Sequence, residues 1–389
     1  MQFAKRLDRL PPYLFVDINR RIAALRASGI DIVTFAIGDP DLPTPSHIIE
    51  RICSEAHVPA NHRYPETEGL PELHEAIADW YKGRFDVDLD PDTEVLPLIG
   101  SKEGIGHIAL CFVEAGRLVL IPDPGYPVYS MSTMIAGGSP YFVPLTEERD
   151  FLPDLDEIPE SVASKATMMW LNYPNNPTGA GASLEFFEKA VQFARKHDIF
   201  VCHDAPYTEV YFDGKKPPSF LQASGAKDVG VEFHSLSKTY HMTGWRIGMV
   251  VGNKDAIRAL FTVKSNLDSG IPQAIQLAAV EALRGSQSVV GEHNDILQRR
   301  RDRLLKVLAE IGLHARVPDG GFFVWAKVPE GYTSVDLTRE LLEQVHVAVT
   351  PGIGYGAQGE NYIRFSITLA DDRLQEGIKR LAGWHRGAR

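Results

Sequence analysis

The stretch HSLSKTYHMTGWRIG, residues 234–248, sets Ser235 and Ser237 beside Lys238, with Arg246 further on. A lysine in such a place can condense with an aldehyde, and hydroxyls with a guanidinium fork can hold a phosphate. The pattern suits a cofactor that carries both groups; the alternative is a loop lysine in solvent. In CHDAPYTEVYF, residues 202–212, Asp204 can hold the protonated ring nitrogen of pyridoxal phosphate and keep that ring a good electron sink. Tyr207 can reach the phenolic oxygen of the ring; an N-capping Asp and a core Tyr are the alternatives. In LNYPNNPTGA, residues 171–180, Asn176 can donate to the same oxygen, or simply belong to a turn, where Asn-Pro is common. In LIGSKEGIGHIAL, residues 98–110, Gly100 turns the chain into a helix opened by Ser101 and Lys102. Free backbone N–H groups at a helix start bind phosphate, and Lys102 adds charge; a plain Ser N-cap is the other reading. DPGYPVY, residues 123–129, puts Tyr126 where an aromatic can stack on a flat ring. Cys202, His203 and Asp204 are adjacent on one strand and alternate between its faces, so they cannot chelate one ion, and no metal is expected.

Each of these stretches follows a short apolar run. The runs at 94–99, 118–121, 141–144, 168–171, 199–202, 231–233 and 247–251 read as strands, several nearly continuous in apolar residues. Strands covered on both faces look like this. Between them lie helical patterns, such as 183–197, with Phe186, Phe187, Ala190, Val191 and Ala194 on one face and Ser183 as N-cap. The alternation predicts an α/β fold with a large domain, its mostly parallel seven-stranded sheet sandwiched by helices, plus a smaller α+β domain. Ligand sites in such sheets lie at the carboxyl ends of the strands. After residue 285 the pattern changes to a helix at 294–311, a strand in GGFFVWAKV, a helix at 335–345, strands at 347–349 and 362–366, and a closing helix. The first forty-odd residues hold only a helix (15–27) and a short strand (32–35), too little for a domain, so they are expected to pack on the C-terminal part. The division expected is 46–285 for the large cofactor-binding domain, and 1–45 with 286–389 for the small one.

The 389 residues carry 40 Lys plus Arg against 51 Asp plus Glu, a net charge of −11. Such a surface is a poor partner for nucleic acid or for anionic membranes. No segment approaches the ~18 apolar residues of a membrane span. The opening MQFAKRLDRLPPYLF lacks the apolar core of a signal peptide, so the cytoplasm is the expected location. Cys53, Cys111 and Cys202 are odd in number and widely spaced, which fits buried free thiols in a reducing compartment.

Over essentially its whole length the sequence resembles the pyridoxal-phosphate aminotransferases of fold type I, class I/II. The motifs that carry the likeness are YPETEGLPELHEAIADWY, PNNPTG, HDAPYTEVYF, SLSKTYHMTGWRIG and YIRFSIT. Within that group IGDPDLPTP, VLPLIGSKEGIGH, DPGYPVY, LNYPNNPTGA and VKSNLDSG are most similar to the LL-diaminopimelate aminotransferases. That branch interconverts tetrahydrodipicolinate and LL-diaminopimelate with glutamate and 2-oxoglutarate, in lysine biosynthesis. The resemblance implies that Lys238 bonds the cofactor aldehyde and shuttles the substrate's α-proton, its pKa lowered by Arg246. It implies that Asp204 pairs with the ring nitrogen and that Tyr207 and Asn176 bind the phenolic oxygen. Gly100, Ser101, Lys102, Ser235, Ser237 and Arg246 would form the phosphate cradle, and Tyr126 would stack on the ring. Arg364 would bind the α-carboxylate, beside Ile37, Gly38 and Asn176. A homodimer with shared sites is implied, in which Tyr64 of the partner subunit reaches the phosphate and the partner subunit's Asn266 reaches the substrate. Lys102, Asn266 and the partner's Glu68 are candidates for the far end of the substrate. The chain departs from the family at His241, where Asn is frequent, and at Thr67, where the plant-type branch has Glu. Other aminotransferase specificities (aspartate, alanine, aromatic) and a β-elimination lyase are the competing activities. A DNA-binding regulator built on this fold needs a further domain ahead of it, for which the resemblance leaves no room.

Overall fold

The computed structural model describes residues 3–10 and 14–385. Its strands, in chain order, are β1 (Val33–Thr34), β2 (Val95–Leu98), β3 (Leu118–Asp123), β4 (Ser139–Pro144), β5 (Ala166–Leu171) and β6 (Phe200–Asp204). They continue with β7 (Gly230–Ser235), β8 (Gly248–Gly252), β9 (Phe323–Lys327), β10 (Val347–Ala348), β11 (Thr350–Pro351) and β12 (Tyr362–Ser366). Seven of them form one sheet in the order β2-β8-β7-β6-β5-β3-β4. All its pairings are parallel except those of β8, which runs against both β2 and β7. Pro97 on β2 and Pro140 and Pro144 on β4 fall on the two edge strands, and Pro122 on the interior strand β3 lies past the last β3–β5 pair at Leu120.

The apolar runs are continuous because both faces of the sheet are covered. On β5, Met169 and Leu171 pack into one layer with Phe187 and Ala190 of the helix Leu184–His197 and Tyr81 of the helix Pro71–Phe85. Met168 and Trp170 face the other layer, with Ile105 and Ile108 of the helix Ser101–Phe112 and Leu260 of the helix Lys254–Leu267. The expected α/β architecture with a mostly parallel, seven-stranded, helix-sandwiched sheet is the one observed. The Ser183 hydroxyl accepts from the Phe186 amide, as an N-cap should.

A further apolar core lies around β9, β12 and the helix Ser288–Glu310, with Phe35, Leu304, Leu308, Val324, Ile363 and Phe365 fully buried. That helix starts earlier than its apolar stripe predicts, because its first turns carry Gly291 and polar residues. β11, β12 and β9 form an antiparallel sheet. The N-terminal segment joins this part of the molecule, as expected: β1 pairs with β10, Val33 opposite Val347. The Asp31 carboxylate also takes bonds from Arg373 (2.7 Å) and Arg380 (2.6 Å).

One expectation fails. Of the three free thiols only Cys202 is buried; Cys111 is half-buried and Cys53 is exposed. The helix Ser46–Ala56 buries Ile48 and Ile52, and the residue after Ile52 is turned off that stripe.

Candidate active site

A cavity of about 400 Å³ opens where β3, β5, β6 and β7 end and where β2 feeds the helix Ser101–Phe112. Of the residues singled out from sequence, it is lined by Ser101, Lys102, Tyr126, Asn176, Asp204, Tyr207, Ser235, Ser237, Lys238 and Arg246. Ile37, Gly38 and Arg364 reach it from the other side. Segments nearly 330 residues apart therefore converge on one space.

The phosphate-binding expectation rests on local backbone. The helix Ser101–Phe112 has Gly100 as its N-cap and no side-chain cap, so the plain Ser-cap alternative is not what is built. Gly100 does not itself line the cavity. Its φ is +71°, and a Cβ there would run into the Arg246 guanidinium. Gly100 thus gives Arg246 room beside the open end of the helix. Arg246 Nη1 donates to the Thr243 carbonyl at 2.9 Å. Ser235 closes β7 and caps the short helix that carries Lys238, its hydroxyl accepting from the Ser237 amide at 3.2 Å.

Asp204 is the last residue of β6, not a residue beyond it and not an N-cap. It is 4% exposed. The Tyr129 hydroxyl donates to its Oδ2 at 2.6 Å, while its Oδ1 is buried with no hydrogen-bond partner among the described residues. Tyr129 is itself held face to face on Trp170 at 4.6 Å. Burial pushes the Asp204 carboxyl up to about 6, against the Tyr129 hydrogen bond that favours its charge. Next along β6, His203 turns to the opposite face and pairs with Glu232 at 2.8 Å, so the two cannot share an ion. Glu103, His107 and Asp268 are the metal-ligating cluster found among the described residues. The ammonium of Lys264 already occupies it, 3.0 Å from Glu103 and 2.8 Å from Asp268.

A chain of amides links the ring side to the arginine. Asn172 Nδ2 donates to the Asp204 carbonyl (2.7 Å), and Asn172 Oδ1 accepts from the Asn176 amide (2.8 Å). Arg364 Nη1 then donates to Asn176 Oδ1 (2.9 Å) and Nη2 to the Ala36 carbonyl (2.9 Å). The guanidinium lies over Phe323 at 3.9 Å and Tyr355 at 4.9 Å. Gly38 is needed here too, because a Cβ would lie 2.5 Å from the Phe323 ring.

Lys238 Nζ donates to the Gly38 carbonyl at 3.2 Å. Its pKa is lowered to about 8, chiefly by burial; Asp39 opposes this, and Arg246 and Arg364 add to it. The expected shift is present, but desolvation is its first cause and Arg246 a lesser one. Burial also pushes the Tyr207 phenol up.

Tyr64, Asn266 and Glu68 do not line this cavity. Tyr64 is 93% exposed, and Asn266 is exposed with Nδ2 donating to the Thr262 carbonyl at 2.8 Å. Sequence reading missed Asp39, Ile105, Asn172, Pro206, Thr243, Phe323 and Tyr355 in the lining, and Tyr129 behind Asp204. Asn172 and Tyr129 both stand inside quoted stretches; Asn172 directly follows β5, which is a signal, whereas Tyr129 lies on the helix Val128–Ile135 and has none. His241 has φ +54°, a region that favours Asn and His, and it stacks on His293 at 4.0 Å. Its departure from the family is thus met by local packing.

Residues 30–381 match the family model for aminotransferase class I and II. This chain belongs to that family. The aminotransferase is 58% identical to the LL-diaminopimelate aminotransferase of Dehalococcoides mccartyi, over 99% of each chain. It is 53% identical to the LL-diaminopimelate aminotransferase of Moorella thermoacetica, over 98% of each. Among solved structures it is similar to substrate-bound BacF from Bacillus subtilis, with a TM-score of 0.95, 36% identity and 98% of each chain covered. It is also similar to the maleate-bound aspartate aminotransferase of Thermus thermophilus, with a TM-score of 0.92, 28% identity, and 98% and 99% covered. Its substrates are amino and keto acids, and it depends on pyridoxal phosphate. The site fits that group: Asp204 Oδ1 is a buried acceptor lacking a donor, and Gly100 keeps space open beside Arg246. No helix among the described residues is long and apolar enough to cross a membrane.

Proposed function

We propose that the aminotransferase moves an amino group between LL-diaminopimelate and 2-oxoglutarate, giving tetrahydrodipicolinate and glutamate. The observation that carries the specificity is the 58% identity, over nearly all of both chains, to a relative named for LL-diaminopimelate. The cavity supports amino transfer independently, since it joins a lysine of lowered pKa to an unsatisfied buried carboxylate and an arginine fork.

When bound, pyridoxal phosphate supplies an aldehyde for the substrate amine and a ring that draws electrons from the α-carbon. Ser101, Lys102, Ser235, Ser237 and Arg246 would hold its phosphate, and Tyr126 would lie against the ring. Asp204 Oδ1 would keep the proton on the ring nitrogen, while the Tyr129 hydroxyl holds the carboxylate through Oδ2. The Tyr207 hydroxyl and the Asn176 amide serve the phenolic oxygen. Arg364, already oriented by Asn176 and the Ala36 carbonyl, takes the α-carboxylate as a planar fork. Lys238 Nζ removes the substrate's α-proton as general base and returns it as general acid. A pKa near 8 leaves a usable fraction of neutral amine at physiological pH.

In this reading the enzyme is a cytoplasmic homodimer. Tyr64 of the partner subunit reaches the phosphate, and the partner subunit's Asn266 and the partner's Glu68 face the substrate. The exposure of Tyr64 and Leu267 in the single chain supports a covered surface there. Residues 46–285 form the large domain, and 1–45 with 286–389 the small one; in support, the apolar core around β9 and β12 takes only Tyr207, Val210 and Phe212 of its buried residues from 46–285. A panel of amino donors with 2-oxoglutarate tests the substrate. LL-diaminopimelate is expected to lead in kcat/KM by at least tenfold. Comparable rates with aspartate or alanine would remove the specificity and leave the reaction class. Ammonia release would point to the lyase instead.

A further inference from the structure

The segment from Ala36 to Thr44 passes the cavity, which Ile37, Gly38 and Asp39 line, and six of its nine residues are tied down. The Ala36 carbonyl accepts from Arg364 Nη2 (2.9 Å) and from the Thr350 hydroxyl (3.0 Å). The Ile37 carbonyl accepts from the Thr368 hydroxyl (3.2 Å), and the Gly38 carbonyl from Lys238 Nζ (3.2 Å). The Asp41 carboxylate takes two bonds from Arg300, at 2.7 and 3.0 Å. The Leu42 carbonyl pairs with His241 Nδ1 (3.1 Å), and the Thr44 hydroxyl donates to the His241 carbonyl (2.8 Å). Asp39 sits in the middle of this run and lines the cavity, yet its side chain has no hydrogen bond or ion pair among the described residues. Its backbone is therefore fixed while its charge is left uncommitted.

The charges around the cavity make that isolation informative. Lys102, Lys238, Arg246 and Arg364 are cations, and the carboxylates are Asp204 and Asp39. Asp204 lies at the buried end and is bonded to Tyr129. In the reading above the phosphate accounts for Lys102 and Arg246, the α-carboxylate for Arg364, and Lys238 is the proton-transfer group. Moving an α-amino group needs no second carboxylate at the mouth. A carboxylate there repels a substrate that ends in a carboxylate alone, and attracts one that ends in an ammonium. Its charge already acts on the neighbouring Lys238.

Resting on the reading of LL-diaminopimelate as substrate, we propose that Asp39 accepts the distal ammonium of the substrate and so selects a diamino over a monoamino dicarboxylic acid. Its backbone is held in place before the substrate arrives, because the flanking residues are bonded on both sides. A hydrogen bond between charged groups in a cavity of this kind stabilises by about 1.5–3 kcal/mol, which corresponds to roughly 10- to 150-fold in kcat/KM.

The test deletes the charge on each side in turn. Holoenzyme is mixed with LL-diaminopimelate, with L-2-aminopimelate (the same chain without the distal amine) or with glutamate, and the half-reaction is followed by cofactor absorbance. The wild-type enzyme is expected to prefer LL-diaminopimelate over aminopimelate by about 30-fold, within the range above. Asp39→Asn should shrink that preference to within about threefold, with Asp39→Glu recovering part of it. The ratio of LL-diaminopimelate to glutamate should fall by a similar factor. Equal losses with LL-diaminopimelate and aminopimelate in Asp39→Asn would overturn the assignment. So would a preference erased by Glu68→Gln and left intact by Asp39→Asn. A wild-type enzyme with no preference at all overturns the substrate reading itself, and the role of Asp39 with it. Because Asp39 is exposed, its variants put little folding energy at stake, and retained cofactor absorbance confirms the holoenzyme.

Discussion

On its inner side the cavity is lined by residues that leave the ends of β2, β3, β5, β6 and β7, each within a few positions of a strand of one sheet. On its outer side it is lined by Ile37, Gly38, Asp39, Phe323, Tyr355 and Arg364, from three stretches far apart in the chain. The inner groups are held by local backbone: a helix opening at Ser101, a strand ending at Asp204, a short helix capped by Ser235. The outer groups are held by one another across long sequence separations, as in Arg364 to Ala36 and Lys238 to Gly38. The inner wall is thus suited to a ligand that stays, and the rim to ligands that are exchanged. Substitutions on the inner wall should disturb cofactor retention and both half-reactions together. Those on the rim should disturb substrates one at a time.

The largest effect expected is that of Lys238→Ala, which removes the acid–base group and should slow both half-reactions by about 10²–10⁴-fold. Single-turnover mixing with LL-diaminopimelate and, separately, with pyridoxamine phosphate enzyme and 2-oxoglutarate measures this. A wild-type rate in either direction would remove Lys238 from the mechanism. On the rim, Arg364→Lys trades a planar fork for a point charge and should raise KM for every amino acid by about 10- to 100-fold. Cofactor affinity, read by equilibrium dialysis, should stay within about twofold, and a parallel loss of cofactor would erase the distinction between the two walls.

The pH dependence links the two walls. Burial disfavours the Lys238 ammonium, so its amine becomes available as pH rises through about 8, where an ordinary lysine waits until about 10.5. The rate at which apoenzyme takes up pyridoxal phosphate should therefore climb about tenfold per pH unit below 8 and level off above it. Because Asp39 stabilises the charged amine, Asp39→Asn should move that break to lower pH. A break that moves upward would contradict the electrostatics. The smallest effect is Tyr129→Phe, which deletes one hydrogen bond to the Asp204 carboxylate. It should weaken cofactor binding by about five- to tenfold while leaving the ratio of LL-diaminopimelate to glutamate unchanged.

The legibility of the site follows the same division. Lys238, Asp204, Asn176, Tyr126 and the Ser101–Lys102 pair could be placed because a strand end is visible as the end of an apolar run. The polar residue that follows it is short-range information. Tyr129 is not legible although it sits inside DPGYPVY, because the pattern does not say which of two nearby tyrosines faces Asp204. Phe323 and Tyr355 were invisible for another reason. An aromatic that packs over a guanidinium has the same sequence signature as one in the core. Cys53 is exposed rather than buried because a helix turns by about 100° per residue, and its neighbour Ile52 takes the inward direction.

The sequence by itself determined the period of each element, the helix caps and the order of strands and helices, because these depend on neighbours a few residues away. It also determined which side chains stand at strand ends, and with them the class of cofactor. Tertiary structure alone decided that β8 runs against its neighbours and that Arg364 rests on Asn176 and the Ala36 carbonyl. It alone decided that, among the described residues, Asp41 is paired and Asp39 is not. The two carboxylates are two residues apart in one motif. What separates them is Arg300, supplied by a helix about 260 residues later, and no local rule carries a contact over that distance.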